Sequence, residues 1–424
     1  MNSPLQLAAI TEVQSAIPPC PHFGACGGCQ LQHLAYSAQL DRKTAKLREL
    51  LASFALPELQ LHASPPLAYR NRIRLTLARV DGRLRAGYLG TAAPENTLGA
   101  PFIERSEMSG EDESLSNHAG LSFVPITQCP IAAPLLWHLT EVFLAVANET
   151  HWLSTPQLIP DQLELFTTAD ESKLQLTLFL RTAQKSPPAK LTADFTALCE
   201  SIRAKIPEVT GAGIAFLPLA ARSRRVEQPR PGPAWGSPGL NYTVGPDFTY
   251  WVPRGAFFQI NRVLLPELVA LVSDTASSSS DATLAWDLYA GAGLFSRPLA
   301  RTFTSIVAVE IAEPAASALT QTKLPNLRAV KATTLDFLRV AVVQRERPSL
   351  IILDPPRTGL GPEVCDLLVR IAAPTLVYVS CSPQALAMDL KALAASGYSI
   401  AKLHLFDLFP QTTHIETVAI LSRT

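Results

Sequence analysis

A regular alternation of short apolar strands with helical segments, beginning near residue 282, constrains the fold of this chain more than any other feature. Strands rich in Val, Ile, Leu and Ala are predicted at 282–289, 305–310, 327–330, 350–353 and 376–379. Parallel strands need long crossover connections, usually helices, so this rhythm predicts a parallel, doubly wound α/β sheet. The last two strands, at 399–406 and 416–422, have no helix between them and predict an antiparallel pair at the edge of that sheet.

The first 250 residues have a different pattern, in which apolar and basic side chains alternate. A strand is predicted at 69–77, and its two faces are formed by Ile73, Leu75, Leu77 and by Arg70, Arg72, Arg74. Asp81-Gly82 follows and is typical of a β-hairpin turn. Residues 163–181 contain a second predicted strand pair.

The length of the chain and these two patterns together predict two domains. An α+β domain is expected in residues 1–250, and the doubly wound α/β domain is expected in residues 251–424. A polar, acid-tinged segment at about 106–120 is predicted to be a surface insertion in the first domain.

Composition excludes little except a membrane protein. Lys plus Arg and Asp plus Glu both total 36, so the net charge neither indicates nor excludes a nucleic-acid partner. No apolar run reaches the eighteen or so residues of a membrane span. The sequence has no Lys or Arg before Arg42, so the charged start of a secretory signal is missing. We therefore expect a soluble, cytoplasmic protein without a membrane partner.

Three of the seven cysteines, Cys20, Cys26 and Cys29, lie within ten residues of one another. Cys129 is the natural fourth member of a ligand set. In a reducing compartment such crowding favours a metal centre over disulfides. Four thiolates suit either zinc or an iron–sulfur cluster, and the spacing alone leaves both open, with free thiols as the alternative.

Residues 287–293 form a glycine-containing turn between a predicted strand and a helix, where the backbone can approach a ligand. Glu310 ends the next strand, where its carboxylate could accept both hydroxyls of a ribose. Ser296 stands where a dinucleotide-binding fingerprint has its third glycine, which disfavours a nicotinamide. With Asp287 before the glycines, the turn looks like the first motif of S-adenosylmethionine-dependent methyltransferases. A purely structural turn is the alternative.

Three reactive groups follow or begin neighbouring predicted strands. Cys381 comes just after one apolar strand, Asp354-Pro355-Pro356 follows another, and Glu416 opens the last. A thiol, a carboxylate turn and a second carboxylate could together add to a flat ring, hold it and deprotonate it. The sequence therefore predicts an enzyme.

With these motifs in this order, the chain resembles the RNA uracil-C5 methyltransferase family, the enzymes that make 5-methyluridine in ribosomal or transfer RNA. The resemblance extends from Cys20 to the C-terminus. Besides the four cysteines, the matching segments are 69–72, 257–261, 287–293, 354–357, 380–383, 407–410 and 414–416.

The resemblance implies a role for each of these residues. It implies a [4Fe-4S] cluster bound by Cys20, Cys26, Cys29 and Cys129. It implies S-adenosylmethionine contacts from Gln259, Tyr289, Glu310 and Asp354. Cys381 is implied as the nucleophile that bonds to uracil C6, and Glu416 as the base that removes the C5 proton. The implied fold is a Rossmann-like methyltransferase domain beside an α+β RNA-binding domain that carries the cluster loop.

The resemblance also bears on the RNA partner. Some members begin with a small β-barrel, the TRAM domain, which the nineteen residues before Cys20 are too few to encode. This predicts the shorter branch of the family, which lacks the barrel. The cluster cysteines favour the ribosomal-RNA branch, so 23S rRNA is the expected target, with tRNA as the alternative and no obligate protein partner. The predicted phosphate contacts are Arg70, Arg72, Arg74, Arg222, Arg224, Arg225 and Arg230, with an ordinary solvated surface as the alternative.

Three residues depart from the family pattern, namely Ser382 after the reactive cysteine, Met388 and Leu294. Two other classes of function stay open from the residues alone. The cysteines also allow an iron–sulfur oxidoreductase, in which the 354–357, 381 and 416 motifs would have no task. The three departures would suit a non-catalytic RNA-binding protein.

Overall fold

The computed structural model describes residues 15–90, 122–150, 152, 158–184, 190–219, 229–279 and 281–423. The insertion predicted at 106–120 and the arginines at 222, 224 and 225 lie outside these residues. Over the described ranges the helices are α1 (Tyr36–Leu50), α2 (Pro134–Glu149), α3 (Leu191–Arg203), α4 (Leu265–Ser277), α5 (Ser296–Thr302), α6 (Ala315–Gln321), α7 (Thr334–Gln344), α8 (Pro362–Ile371) and α9 (Pro383–Ala394). None of these described helices is both long and apolar enough to cross a lipid bilayer.

The described strands fall into two groups along the chain. The N-terminal and central ones are β1 (Leu59–His62), β2 (Arg72–Val80), β3 (Arg83–Gly90), β4 (Ser122–Pro125), β5 (Ile159–Thr167), β6 (Leu174–Arg181), β7 (Val209–Leu217), β8 (Arg230–Gly236), β9 (Gly239–Val244) and β10 (Phe248–Pro253). The C-terminal ones are β11 (Leu284–Leu288), β12 (Ser305–Glu310), β13 (Leu327–Lys331), β14 (Leu350–Leu353), β15 (Thr375–Ser380), β16 (Tyr398–Phe406) and β17 (Glu416–Arg423).

The larger sheet has the strand order β1-β16-β17-β15-β14-β11-β12-β13 in the described part of the chain. Strands β11 to β15 pair in parallel, and β17 pairs antiparallel with both β15 and β16. The predicted parallel α/β sheet with an antiparallel pair is therefore confirmed. Its central strands are apolar throughout because helices cover both faces of a parallel sheet.

The antiparallel pair, however, is not the edge of this sheet. Strand β1 adds to β16 in parallel, with Leu59 opposite Leu403. The preceding helix, α1, buries Leu47 and Leu51 in the same core as Trp286. This contribution from residues 36–62 was not predicted, because β1 is short and half-exposed and lacks clear alternation. The domain boundary at residue 250 stays a prediction.

The second sheet has the order β4-β3-β2-β5-β6-β7-β8 among the described residues. Strands β2 and β3 form the predicted hairpin, and Asp81 and Gly82 in its turn have φ values of 50° and 75°. Both central residues of a type I′ turn need such positive φ values. Ile73, Leu75 and Leu77 are buried in one core with α2 and α3, as their alternation predicted.

Two arginines of the predicted basic face have partners inside the protein. Arg74 donates to Glu164 Oε2 over 2.7 Å, and Arg72 Nη1 donates to the Ala256 carbonyl over 2.7 Å. The Arg72 guanidinium also lies over the Phe166 ring, 4.3 Å from its centroid. Since the Arg72 side chain is only 13% exposed, the prediction that it contacts RNA phosphates is wrong.

A seam of hydrogen bonds joins residues 69–72 to residues 257–262. Asn71 is fully buried, and its Nδ2 donates to the Tyr242 hydroxyl over 2.9 Å and to the Gln259 carbonyl over 3.0 Å. Its backbone N–H donates to the Ile260 carbonyl, and the Arg262 N–H donates to the Tyr69 carbonyl. These two sequence motifs therefore form one connection, which ties the start of β2 to the segment between β10 and α4.

Candidate active site

Five neighbouring strands bring the predicted site residues to one edge of the larger sheet. The carboxyl ends of parallel strands meet at the same edge, which is where ligands bind in doubly wound folds. Strand β17 runs the other way, so its first residue lies at this edge as well, with Thr417 opposite Ser380. In the order of the strands β17, β15, β14, β11 and β12, the residues at the edge are Glu416, Cys381, Asp354, Tyr289 and Glu310.

Cys381 and Glu416 are electrostatic neighbours in a buried setting. The pKa of the Cys381 thiol is raised to about 12, chiefly by burial and then by the nearby Glu416 and Asp354 carboxyls, while Arg357 opposes them. Burial, followed by Asp354, also raises the pKa of Glu416 well above its usual value, and Arg357 again opposes. Strongly shifted groups that face one another at a strand edge are typical of a functional site.

One oxygen of Glu416 has no internal partner. The residue is 2% exposed, and Oε1 has no hydrogen-bond partner in the part of the chain that the structure describes. An unsatisfied buried oxygen costs about 1–3 kcal/mol. Such a group is therefore retained in native proteins mainly where it has a task.

Cys381 precedes the helix α9, and Ser382 caps that helix. The Ser382 Oγ accepts the Ala385 N–H over 3.4 Å, and Pro383 occupies the first turn. The positive end of a helix stabilises a thiolate placed close to it. Asn, Asp and Ser are all good N-caps, so Ser382 keeps the local geometry despite its departure from the family pattern. Met388 is 63% exposed and so lies on the surface.

Asp389 holds the loop that follows Asp354, a role that the sequence did not indicate. Its carboxylate accepts the Leu360 N–H over 2.8 Å, the Gly361 N–H over 3.2 Å and the Tyr378 hydroxyl over 2.7 Å. The residue is 6% exposed. Its place in an amphipathic helical pattern gave no signal of burial, because only the tertiary fold brings residues 360 and 361 to this helix.

The Asp354 carboxyl belongs to a group of three carboxyls at the strand ends. Burial raises the pKa of Asp354 to about 7, with further contributions from Asp287 and Glu310. Burial likewise raises the pKa of Asp287 to about 7, although a hydrogen bond from Ser296 opposes this. Asp287 is fully buried, and within the described residues its Oδ1 has no hydrogen-bond partner.

The turn after β11 has an unusual backbone that brings it against Glu310. Tyr289 has a φ of 64° and Gly291 a φ of 54°. A positive φ is uncommon for a residue with a Cβ and marks a constrained position. Glu310 Oε2 accepts the Gly291 N–H over 2.9 Å, and Oε1 accepts the Ala312 N–H over 2.6 Å. The Glu310 carboxylate is thereby fixed beside the turn.

Gln259 lies on this seam of hydrogen bonds. The residue is 7% exposed, and its backbone carbonyl accepts a hydrogen bond from Asn71. Phe257, two residues earlier, is 60% exposed. The segment therefore presents one large apolar side chain to solvent while the seam holds its backbone.

The four predicted ligand cysteines, Cys20, Cys26, Cys29 and Cys129, line a single cavity together with Arg70 and Tyr88. None of the four forms a disulfide. Positive φ values at Gly24 and Gly27 let the loop that carries the first three curl around the cavity.

Burial is the largest cause of the raised pKa values of Cys26, Cys29 and Cys129. It raises the pKa of Cys29 to about 12 and that of Cys129 to about 11, and neighbouring cysteine thiols contribute further, whereas Arg70 opposes. Among the described residues, no group of three or more His, Cys, Asp or Glu side chains has an arrangement that could hold a metal ion. The four cysteines thus share one cavity, but the described residues do not bring them into a metal-binding arrangement.

Comparison with known proteins gives consistent matches. Residues 242–424 match the model of the family described as tRNA (Uracil-5-)-methyltransferase. A 23S rRNA (uracil(1939)-C(5))-methyltransferase RlmD of Pseudomonas fluorescens is 29% identical over 413 residues, covering 95% of this chain and 77% of the relative. An uncharacterized RNA methyltransferase of Clostridium tetani is 28% identical over 421 residues, covering 95% and 83%.

One solved structure has a similar fold over most of the chain. The tRNA (uracil-54, C5)-methyltransferase of Pyrococcus abyssi, solved in complex with S-adenosyl-L-homocysteine, superposes with a TM-score of 0.65. It is 22% identical, and the match covers 93% of this chain and 85% of that one. At this identity the likeness is one of fold.

Proposed function

We propose that this chain is an RNA uracil-C5 methyltransferase, which transfers a methyl group from S-adenosylmethionine to C5 of a uridine to give 5-methyluridine. The observation that carries the proposal is the row of neighbouring strand ends with Glu416, Cys381, Asp354, Tyr289 and Glu310 in that order. The family match of residues 242–424 and the names of the relatives support the same reaction.

Cys381 supplies the nucleophile. Uracil C5 is too weak a nucleophile to take a methyl group unaided. The Cys381 thiolate forms a bond to C6, and the electron pair of the C5–C6 double bond moves onto C5 as an enolate. C5 then bonds to the methyl carbon, and the electron pair of the broken carbon–sulfur bond stays on the donor sulfur. Arg357 favours the thiolate form, since it lowers the pKa of Cys381 against the effect of burial.

Glu416 completes the reaction. After methyl transfer C5 still carries its proton, which passes to the Glu416 carboxylate. The electron pair of that C–H bond re-forms the C5–C6 double bond and expels the Cys381 thiolate. The unpartnered Oε1 of Glu416 is available to accept this proton. Buried surroundings and a raised pKa suit a base that must hold the proton until the ring is restored.

The pH dependence of Cys381 alkylation tests this arrangement without RNA. Because the thiol pKa is about 12, the alkylation rate with iodoacetamide should still rise about tenfold per pH unit above the ordinary thiol pKa of about 8.5. In Glu416→Gln the profile should shift to lower pH, because the Glu416 charge raises the thiol pKa. Mass spectrometry of the Cys381 peptide measures both. A wild-type midpoint near the ordinary value, or a shift to higher pH in Glu416→Gln, would contradict the arrangement.

Gln259, Tyr289, Glu310 and Asp354 contact S-adenosylmethionine in this proposal. The constrained turn at Tyr289 and Gly291 supports it, since it lets the backbone approach a ligand. Each Glu310 oxygen keeps acceptor capacity beside its backbone partner, so ribose hydroxyls can bind there. A sulfonium cation bound nearby would lower the raised pKa values of Asp287 and Asp354 and favour their charged forms.

Cys20, Cys26, Cys29 and Cys129 hold a [4Fe-4S] cluster in this proposal. The support is that all four line one cavity. A bound cluster supplies a cross-link between the 20–29 loop and Cys129, which precedes α2. We infer 23S rRNA as the target from the names of the relatives, with tRNA as the alternative. The RNA substrate implies a cytoplasmic location.

Arg222, Arg224 and Arg225, which lie outside the described residues, are proposed to contact RNA phosphates. Replacing Arg222, Arg224 and Arg225 by Ala should reduce the slope of log affinity against log salt by about 2, at about 0.7 per lost single-strand contact. Filter binding at several salt concentrations measures the slope. Arg339→Ala is the control, because that residue is exposed on α7 and pairs with Glu363. An unchanged slope in the triple variant would remove these three arginines from the interface.

Methyl transfer separates this proposal from an iron–sulfur oxidoreductase and from a non-catalytic RNA-binding protein. Incubation with labelled S-adenosylmethionine should place label in 5-methyluridine of ribosomal or transfer RNA. Mapping 5-methyluridine in RNA from cells with and without the gene then identifies the target. RNA binding without any transfer of label would favour the non-catalytic alternative.

A further inference from the structure

The loop between β16 and β17 leads directly into Glu416. Phe406 ends β16 and pairs with Glu416 across the antiparallel ladder, so residues 407–415 close this loop. The orientation of the Glu416 carboxyl therefore depends on the conformation of these residues as well as on the strand. We call residues 407–415 the closing loop.

Helix α1 holds the first half of the closing loop. Lys43 Nζ donates to Asp407 Oδ1 over 2.6 Å and to the Phe409 carbonyl over 2.9 Å. The Tyr36 hydroxyl donates to Asp407 Oδ2 over 2.9 Å. Lys43 is 2% exposed and Asp407 is fully buried. Since a buried ion pair is costly to break, this end of the loop is fixed to α1.

Gln411 holds the second half through both its backbone and its side chain. Its N–H donates to Gln39 Oε1 over 2.9 Å, and its Oε1 accepts from Gln39 Nε2 over 3.0 Å. Its carbonyl accepts the N–H groups of Gln30 and Leu31 over 2.9 and 3.0 Å. The residue is 6% exposed and has a φ of 70°. These four bonds hold it in a backbone region that residues with a Cβ rarely adopt.

The residues that bind the Gln411 carbonyl belong to the cysteine loop. Gln30 directly follows Cys29, and its Nε2 donates back to the Gly27 carbonyl over 2.8 Å. Gln32, two residues on, accepts the Cys20 N–H over 3.1 Å. The backbone N–H groups at the end of the cysteine loop, those of Gln30 and Leu31, therefore bind one carbonyl of the closing loop, that of Gln411.

We propose that Gln411 is a positioning residue, which couples the conformation of the cysteine loop to the Glu416 carboxyl. The inference rests on the proposed function, in which Glu416 acts only after the methyl group has been transferred. A displaced Glu416 slows removal of the C5 proton, so the Cys381–uracil bond persists. Addition of the thiol, methyl transfer and cofactor binding do not need Glu416 and continue.

Two substitutions of Gln411 distinguish the effect of a strained backbone from the effect of a smaller side chain. Gln411→Val introduces a β-branched residue at a positive φ, where it is strained, and removes the hydrogen bond from Gln39 Nε2 to the Gln411 side chain. Gln411→Asn keeps an amide and tolerates the left-handed region. Asn148→Ala is the matched control for lost stability, since Asn148 bonds the Leu84 backbone in the other sheet, away from the closing loop.

The measurement is the lifetime of the covalent RNA adduct. Each protein is incubated with labelled RNA and S-adenosylmethionine, chased with unlabelled RNA and sampled on denaturing gels. Gln411→Val should lengthen the adduct lifetime at least about tenfold, because a general base contributes roughly 10²–10⁴ to its step. Its affinity for S-adenosylhomocysteine, measured by calorimetry, should be unchanged. Gln411→Asn should resemble the wild type, and Asn148→Ala should lower the melting temperature without lengthening the adduct lifetime.

Three outcomes overturn the inference. Clearance of the adduct by Gln411→Val at the wild-type rate shows that Glu416 does not depend on this residue. A parallel loss of adduct formation, cofactor affinity and thermal stability shows a merely structural role. Absence of any adduct in the wild type removes the proposed function itself, and the wild-type arm distinguishes that case. If Gln411→Val does not fold, Gln411→Ala makes the same test with less strain.

Discussion

Glu416→Gln is expected to convert the enzyme into a trap for its own RNA. The amide cannot accept the C5 proton, so the first two steps proceed and the last one stops. Turnover should fall by about 10²–10⁴-fold, which is the usual contribution of a general base. The methylated RNA should stay attached to Cys381 and migrate with the protein on a denaturing gel. The fold should survive, because the Gln side chain is isosteric with the buried Glu416 side chain.

The cysteine variants fix the interpretation of that experiment. Cys381→Ala should form no adduct and transfer no methyl group, whereas Cys199→Ala should form the adduct as the wild type does, because Cys199 lies in α3 in the core of the other sheet. In the double variant Cys381→Ala/Glu416→Gln the adduct should disappear. An adduct that persists without Cys381, or normal turnover by Glu416→Gln, would remove the assigned roles.

Removal of a cysteine from the proposed cluster site is expected to have the second-largest effect, and to act on stability. Cys129→Ala should abolish the brown colour and the bound iron of protein purified without oxygen. Loss of a metal site is among the changes that cost more than about 4 kcal/mol. Since 1 kcal/mol shifts the melting temperature by about 2–4 °C in a domain of 150–250 residues, we expect a fall of about 8 °C or more.

Cys199→Ala is the matched control for this change. Cys199 is buried in α3, in the same core as α2, and does not line the cysteine cavity. Its replacement should leave iron content and colour unchanged and should cost only the usual penalty of a small cavity. Iron content and colour that stay unchanged in Cys129→Ala would show that these four thiols do not hold a cluster.

Much of the fold could be predicted because its signals are local. The strands β12 and β14 begin and end where the sequence predicted, since each is a short apolar run bounded by polar residues. The Asp81-Gly82 turn could be predicted because few residues tolerate its backbone. Strand β1 and helix α1 could not be assigned to the larger sheet, because their place depends on pairing with residues more than 300 positions away.

The candidate site was predictable for a geometric reason. Its residues lie at strand ends, and the ends of parallel strands meet at one edge whatever the intervening sequence. Asp389 and Gln411 were missed because their roles consist of hydrogen bonds to backbone groups far away in the sequence. Arg72 was misassigned because its buried partner, Glu164, lies on the neighbouring strand β5. The alternation of residues along β2 does not reveal which strand pairs with it.

Covalent trapping with 5-fluorouridine RNA tests the central claim most directly. Fluorine at C5 leaves no proton for Glu416 to remove, so the Cys381 bond to C6 cannot be released after methyl transfer. With S-adenosylmethionine present, the wild-type protein should form a denaturant-resistant adduct, and the modified peptide should contain Cys381. Absence of that adduct with both ribosomal and transfer RNA substrates, in protein that carries its full complement of iron, would contradict the account.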